Sequence, residues 1–298
     1  MQNIMDALHL AFRQQDAIYR IGRLFQSLSG SGFSFKKLIA LFTAFIEMFG
    51  CVLFDSPLTP LGEELNLDGY RLVFEDEFEG DSLDLDSWFY RGSGPSRAGF
   101  HAPSQTKVKD GNMVMTAEYL EDGEFGPGWY AGSIALQKRY CKGYFEIRCK
   151  CNPGTEFWSA FWIQADRPYD HDASKGGTGG AEIDIFESCS NPKEKNAVSQ
   201  TIHCNGWDDD REHIDSRLLG KFKGNNIYDE YNTYGLEWTD EEYIFYINGV
   251  ETARSSFGNG VSQVEETILI TLELPDEITH EKDYTSQFTV DYVKIWQK

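Results

Sequence analysis

The sequence predicts an all-β protein, built as a two-sheet β-sandwich or jelly roll over residues 68–298. Apolar and polar residues alternate with period two through most of this region, which is typical of strands with one buried face. Turn residues recur between the alternating runs, and helical windows are few. Because no βα alternation is present, we expect packed sheets rather than an α/β fold. A helical and hydrophobic extension is expected to precede the sandwich.

The extension divides into segments of different character. Residues 1–35 are interpreted as a basic amphipathic tail, since apolar side chains recur there at helical spacing. Residues 36–54 are mainly apolar, and a basic flank before such a run is the pattern of a signal anchor or an atypical signal peptide. Glu47 opposes insertion into a membrane, so a soluble helix with one apolar face is the alternative. Residues 55–67 predict a linker.

Composition excludes several function classes. The chain has 298 residues and a formal net charge of −21. Because a strongly acidic surface repels phosphate, we expect no nucleic-acid partner. No Walker-type or dinucleotide-binding glycine motif is present, and no CxxC or His/Cys cluster indicates zinc. Cys149 and Cys151 alternate with charged residues and are expected to be buried in a strand.

Individual strands follow from the same alternation. The run 144–151 places Phe, Ile and Cys side chains on one face and charged side chains on the other. The runs 266–274 and 288–296 have the same pattern. Residues 242–254 predict a hairpin, because two strand-like runs meet at Asn248-Gly249, a dipeptide that suits a type I′ turn.

One predicted strand carries an unusual aromatic face. In "TEFWSAFWIQ" (155–164), Trp158 and Trp162 lie on the same face as Gln164. Ordinary core packing explains a single tryptophan well. Two tryptophans that share a face with a glutamine favour a platform for sugar rings, whose flat apolar faces stack on indole.

The following strand contains three carboxylates, in "GGTGGAEIDIFES" (176–188). Glu182 and Asp184 share a face, but Glu187 is five residues from Glu182 and falls on the opposite face of a regular strand. A β-bulge at residues 185–186 adds one residue and restores the phase. Burial of three carboxylates for structure alone is costly. Carboxyl groups that face one another are what retaining glycoside hydrolysis requires.

These residues resemble a known family. The motif "EIDIFE" (182–187) is similar to the E-x-D-x-x-E signature of glycoside hydrolase family 16, in the bulged form of laminarinase-like β-1,3-glucanases. Further segments resemble the framework strands of that family in the expected order, namely 72–80, 140–150, 158–164, 231–251 and 290–298. The resemblance covers roughly residues 70–298 and implies a sandwich of the concanavalin-like lectin and glucanase type.

The resemblance also implies roles for the acidic residues. Glu182 is expected to be the nucleophile and Glu187 the acid/base, while Asp184 tunes the protonation of the pair. The expected activity is that of a retaining endo-β-glycosidase acting by double displacement on β-1,3- or β-1,3/1,4-glucan. A non-catalytic lectin-like module and an agarase-like galactanase are the alternatives.

Other candidate residues depend on weaker similarity. His203 is expected to contact substrate or to support a residue that does, with simple packing as the alternative. Trp129 and Gln105 are expected to line the substrate site. Glu77 and Asp291 match positions that hold a structural calcium in many relatives, with solvated carboxylates as the alternative. We expect no cofactor for catalysis.

Substrate and location follow from charge and from the extension. The acidic balance favours a neutral β-glucan over sulfated galactans such as carrageenan or porphyran, because a long anionic chain is repelled. Residues 95–108 and 268–276 depart from the laminarinase pattern, which leaves the linkage open. We expect an extracellular or membrane-anchored protein with its catalytic domain outside, and membrane contact through residues 1–54.

Overall fold

The computed structural model describes residues 62–165, 175–188, 196–204, 215–224 and 226–298. These residues form two β-sheets that share one apolar core, so the predicted all-β sandwich is confirmed. The extension over residues 1–54 lies outside the described residues. Within the described part of the chain, no helix has the length and apolar character needed to cross a membrane.

The larger sheet contains eleven strands in the order β16-β15-β14-β9-β18-β6-β7-β4-β3, with β1 paired to β18 and β5 paired to β6. Its pairings are antiparallel except between β4 and β7. The strands are β1 (Arg71–Asp76), β3 (Gly94–Ser96), β4 (Gly99–His101), β5 (Thr106–Lys109), β6 (Asn112–Leu120), β7 (Gly128–Ala131), β9 (Gly143–Lys150), β14 (Asn232–Trp238), β15 (Tyr243–Ile247), β16 (Val250–Ser255) and β18 (Thr285–Gln297).

The smaller sheet contains seven antiparallel strands in the order β13-β12-β11-β10-β17-β8-β2. The strands are β2 (Trp88–Tyr90), β8 (Ser133–Leu136), β10 (Trp158–Gln164), β11 (Glu182–Ser188), β12 (Ala197–Cys204), β13 (Asp215–Lys223) and β17 (Thr267–Glu273). Two short 3₁₀ helices, Pro103–Gln105 and Gly176–Gly179, lie in the connections. Strand β11, which carries the three carboxylates, is central in this sheet.

The core lies between the sheets and is formed by alternate residues of the strands. The inward residues predicted for β9 and β17 are confirmed, because Phe145, Ile147, Ile268 and Ile270 are all fully buried in the same cluster. Cys149 and Cys151 are buried in that cluster as well, and the four cysteines of the described residues are free thiols. Since one face of each strand fills the core, the other face is left for solvent or for a ligand.

The predicted hairpin joins β15 to β16. Asn248 (φ 51°) and Gly249 (φ 74°) both adopt positive φ, as a type I′ turn requires. The Leu65 amide donates to the Gly249 carbonyl at 2.8 Å, and the Glu251 amide donates to the Glu63 carbonyl at 2.8 Å. The last residues of the predicted linker therefore form backbone hydrogen bonds with the β15–β16 hairpin.

Candidate active site

Strand β11 contains the predicted bulge. Against β10, Asp184 pairs with Trp162 and Phe186 pairs with Phe161, so Ile185 is an extra residue with no partner of its own. Ile185 and Phe186 are both fully buried in the core. Because two successive side chains point inward, the alternation restarts, and Glu187 returns to the outer face of the smaller sheet. The bulge predicted from the spacing is confirmed.

The glycine-rich loop fixes the start of β11. Gly176 has φ 55°, and a Cβ at this position would lie 2.2 Å from the Gly258 carbonyl oxygen. Only glycine permits this close approach of two backbone segments. The Ala181 amide donates to Oε1 of the buried Glu266 at 2.8 Å. The loop is therefore tied to the segment before β17, and the direction of β11 is set before its first carboxylate.

Neighbouring side chains of β10 hold the two glutamates. Gln164 Nε2 donates to Glu182 Oε2 at 2.6 Å, and Arg91 Nη2 donates to Gln164 Oε1 at 3.4 Å. The Trp158 indole Nε1 donates to Glu187 Oε1 at 3.0 Å. Each glutamate thus accepts a hydrogen bond from a side chain of β10 on one of its two carboxyl oxygens.

Asp184 lies between the two glutamates and is 3% exposed. Its Oδ2 is 3.1 Å from His203 Nε2, and the other ring nitrogen of His203 is 2.6 Å from Ser216 Oγ. The hydroxyl and the carboxyl orient the imidazole from both sides. His203 therefore contacts a carboxyl group of the cluster, and its contact with substrate stays a prediction.

The electrostatics of the group favour shared protons. Burial, followed by the charge of Asp184, raises the pKa of Glu182 to about 8. Burial, followed by the charges of Glu187 and Glu273, raises the pKa of Asp184 well above its usual range. Burial also raises the pKa of Glu187, although the Trp158 hydrogen bond opposes the rise. Since the carboxyls cannot all ionise together, the cluster keeps at least one proton at neutral pH.

The two predicted platform tryptophans are on the same face as the carboxylates, but neither ring is open. Trp162 is 8% exposed, donates from Nε1 to Thr271 Oγ1 at 3.2 Å, and has the Arg91 guanidinium 4.8 Å from its ring centroid. The Arg97 guanidinium lies 4.7 Å from the centroid of the half-buried Trp158 ring. Sugar stacking on these rings stays a prediction, and on the covered faces it requires an arginine to move.

Two other predicted substrate contacts are corrected by the structure. Trp129 is 8% exposed and lies in the core between the sheets, where it packs against Phe157 at 5.5 Å between centroids. Gln105 is 3% exposed, and its amide nitrogen is placed to donate to the Thr116 carbonyl at 3.0 Å and to Glu118 Oε1 at 3.1 Å. Both residues belong to the larger sheet or its connections and are buried among its side chains, so neither presents a surface to a ligand.

The residues expected to bind calcium do not fit a calcium site. Glu77 Oε1 is 2.7 Å from Lys294 Nζ, and Asp291 forms an ion pair with Arg148. Each carboxylate already has a basic partner, whereas calcium requires several oxygen ligands in one place. Within the described residues, three or more side chains suited to a metal come together only in the group of Glu182, Asp184 and His203.

Sequence reasoning missed several charged residues beside the carboxylates. Arg91 and Arg97 approach from the segment before β4, and Glu273 lies opposite Trp158 on β17. His101 is 4% exposed, and burial lowers its pKa, while Glu273 opposes this effect. The sequence signal for these cations was the pair Arg91 and Arg97, which lie within seven residues of each other in a strongly acidic chain.

Comparison with known proteins gives one family model. The model described as "Beta-porphyranase A-D, GH16 domain" matches residues 72–298. This match begins one residue into β1 and ends at the last residue of the chain, so it spans both sheets and the carboxylate strand.

Curated relatives are similar in sequence to part of this chain. Glucan endo-1,3-beta-glucosidase A1 of Niallia circulans is 24% identical over 207 residues, which cover 61% of this chain and 29% of that protein. Beta-porphyranase E of Zobellia galactanivorans is 29% identical over 198 residues, which cover 61% of this chain and 68% of that protein. The chain spans 29–30% of the length of three of the curated relatives that it matches.

Solved structures agree with the fold. SCLam, described as a non-specific endo-beta-1,3(4)-glucanase from family GH16, superposes with a TM-score of 0.65 at 20% identity. The superposition covers 82% of this chain and 97% of that chain. At this identity the likeness establishes the sandwich architecture.

Proposed function

The chain belongs to glycoside hydrolase family 16, and from that premise we propose that residues 68–298 form a retaining endo-β-glycosidase that cleaves polysaccharide β-linkages. The bulge in β11 carries the proposal. It brings Glu182, Asp184 and Glu187 to one face of the sheet, beside indole and amide donors of β10. A retaining mechanism requires two carboxyl groups that flank the scissile bond from such a face.

In the first step, the Glu182 carboxylate attacks the anomeric carbon. The bond from that carbon to a Glu182 oxygen forms while the bond to the leaving oxygen breaks, and Glu187 gives its proton to the leaving oxygen. Gln164 donates to Oε2 of Glu182, which leaves Oε1 as the attacking atom. The product of this step is a covalent glycosyl-enzyme and a released sugar chain.

In the second step, Glu187 acts as a base. It takes a proton from water as the water oxygen attacks the anomeric carbon, and Glu182 leaves as a carboxylate. Asp184 lies between the two glutamates, and the charge of its ionised form disfavours ionisation of Glu182. The reactive state is the one in which Glu187 holds a proton and Glu182 is ionised. Because burial and Asp184 raise the pKa of Glu182 to about 8, this state is one of several that share the protons of the cluster at neutral pH.

The proposed substrate is a β-1,3- or β-1,3/1,4-glucan. Support comes from relatives named as glucan endo-1,3-beta-glucosidase and endo-1,3-1,4-beta-glycanase. We also propose an extracellular or membrane-anchored location with the catalytic domain outside, supported by the basic and apolar pattern of residues 1–54.

A galactan is the second candidate substrate. The family model and one curated relative carry the name porphyranase. The guanidinium groups of Arg91 and Arg97 lie over the tryptophans on the carboxylate face. Because charges more than about 8 Å apart are largely screened in physiological salt, these local cations matter more to a bound sugar than the net charge of the whole chain.

A substrate screen tests the proposal. The full chain is incubated with laminarin, lichenan, agarose and porphyran, and reducing ends are measured together with product lengths. We expect internal cleavage of laminarin or lichenan, and NMR of the earliest products should show the β-anomer. Release of the α-anomer first would contradict the retaining mechanism. Retention on a polysaccharide gel without any product would instead support the lectin-like alternative.

A further inference from the structure

The geometry around Glu187 points to a device that controls its proton. Trp158 is the first residue of β10, and Ala160 of the same strand pairs with Glu187. Side chains two residues apart on a strand share a face, so the indole extends alongside the glutamate. Its Nε1 donates to Glu187 Oε1 at 3.0 Å.

Arg97 holds this indole from outside. Its guanidinium lies 4.7 Å from the ring centroid, and its Nη1 donates to the Leu274 carbonyl oxygen at 3.4 Å. The amide of the next residue, Ala98, donates to the Pro275 carbonyl at 3.1 Å. The β3–β4 turn is therefore bound to the end of β17. A guanidinium over an aromatic face is attracted to it, and here it also covers that face against a sugar ring.

The hydrogen bond has a consequence for the protonated carboxyl. An oxygen that accepts a hydrogen bond from N–H is the poorer place for a proton, so the proton of Glu187 resides on Oε2. Oε2 is then the atom that gives the proton to the leaving oxygen. If the donor is removed, this difference between the two oxygens is lost, and both compete for the proton.

We propose that Trp158 and Arg97 are positioning residues that decide which oxygen of Glu187 holds the catalytic proton. This inference depends on the proposed function, in which Glu187 is the acid/base. Trp158 acts through Glu187 and not as a stacking platform for sugar.

Other charges face Glu187 from every neighbouring element. They come from the same strand, from β12, from β17 and from the β3–β4 turn, namely Glu182, Asp184, His203, Glu273 and Arg97. Burial and Glu273 raise the pKa of Glu187, while Trp158, His203 and Arg97 lower it. Trp158 is the strongest of the influences that favour the carboxylate form. Its loss therefore moves the pKa of Glu187 upward.

The test replaces Trp158 by Phe, which keeps an aromatic ring and removes the N–H. The matched control is Trp162→Phe, on the same strand and face, whose indole donates to Thr271 instead. In the pH profile of kcat/KM, the alkaline limb reports the loss of the proton from Glu187. For Trp158→Phe we expect this limb to move to higher pH by about one unit. We expect kcat on polysaccharide to fall about tenfold to hundredfold, with KM within about twofold. The control should not move the limb.

A change of leaving group separates positioning from folding defects. In an aryl glycoside of an acidic phenol, the leaving group departs as a phenolate and needs no proton from Glu187. Trp158→Phe should therefore cleave such a substrate at about the wild-type rate. Arg97→Gln changes an exposed side chain and should shift the alkaline limb in the same direction by a smaller amount. A raised KM with an unmoved limb in Trp158→Phe would overturn the inference and support sugar stacking.

The positioning role of Trp158 can be tested even if the proposed enzymatic function is wrong. If the wild-type chain cleaves none of the substrates, the function fails, and the hydrogen bond is tested by NMR titration of ¹³C-labelled glutamate, with Glu187→Gln assigning the signal. We expect the pKa of Glu187 to rise in Trp158→Phe and to stay in Trp162→Phe. An unchanged Glu187 titration in Trp158→Phe would reject the positioning role, whether or not the chain is active.

Discussion

The outer faces of the two sheets both carry half-buried or buried carboxylates, but these groups have opposite surroundings. On the larger sheet, Glu146 accepts hydrogen bonds from the hydroxyls of Tyr144 at 2.7 Å and Tyr292 at 2.8 Å. Glu237 accepts from two further tyrosine hydroxyls. On the smaller sheet, by contrast, three carboxyl groups of one strand face one another.

The carboxylates of the two faces differ in their partners: tyrosine hydroxyls donate to Glu146, whereas further carboxyl groups lie beside Glu182. Where tyrosine hydroxyls donate to a carboxylate, the pKa of the tyrosine changes: burial, followed by the charge of Glu146, raises the pKa of Tyr292. Where carboxyl groups face one another, the pKa of the acid itself changes: burial, followed by the charge of Asp184, raises the pKa of Glu182 to about 8. Raised carboxyl pKa values of this kind concentrate at sites that use proton transfer.

The largest expected effect is on activity, with the same Glu→Gln change on both faces. Glu182→Gln and Glu187→Gln should each lower kcat about 10³-fold or more, because in the proposed mechanism each residue acts directly on the reacting atoms. Glu146→Gln should keep wild-type kcat and KM. Reducing-end assays under one set of conditions measure all three variants. Equal losses for Glu146→Gln and Glu187→Gln would erase the contrast between the faces.

A smaller effect is expected on stability, and it depends on pH. In the unfolded chain Glu182 ionises near its ordinary pKa of 4.5, whereas in the folded chain burial and the charge of Asp184 raise its pKa to about 8. The unfolded state therefore loses the proton first, and the free energy of unfolding falls as pH rises through this window. Glu182→Gln removes the effect.

We expect Glu182→Gln to be more stable than the wild type by several kcal/mol at pH 9 and equal to it at pH 4. Urea unfolding at the two pH values measures the difference. A gap of the same size at pH 4 would show that the gain does not come from ionisation.

The smallest effect is expected for the satisfied carboxylate. Glu146→Gln keeps one acceptor oxygen for a tyrosine hydroxyl but loses the charge that strengthens both hydrogen bonds. We expect a loss of about 1 kcal/mol at pH 7, opposite in sign to the effect of Glu182→Gln. Thermal unfolding of both variants provides the check. A stabilising Glu146→Gln would mean that the tyrosine hydroxyls do not offset the burial of this carboxylate.

Much of the fold could be predicted because its signals are local. Alternation with period two predicts which side chains of β9 and β17 face the core, since the backbone of a strand directs successive side chains to opposite faces. The Asn248-Gly249 turn is predicted because both residues accept positive φ. Even the bulge in β11 is local, because Glu187 returns to the outer face only when one residue is added.

Contacts between distant segments could not be predicted in the same way. Trp129 and Gln105 are residue types that often contact sugars, but the strands packed around them bury both side chains. Arg97 reaches Trp158 because the β3–β4 turn is hydrogen-bonded to the end of β17. No spacing in the sequence indicates that these segments meet.

The amino-acid sequence by itself determined the strands, the faces of their side chains and the kink that collects three carboxyls on one surface. Only the tertiary structure decided what lies against that surface: an indole on Glu187, an imidazole on Asp184, an amide on Glu182 and arginines over the tryptophans. The physical reason is range. Backbone stereochemistry acts between neighbours in the chain, whereas burial, hydrogen-bond partners and pKa depend on groups that meet only when the sheets pack.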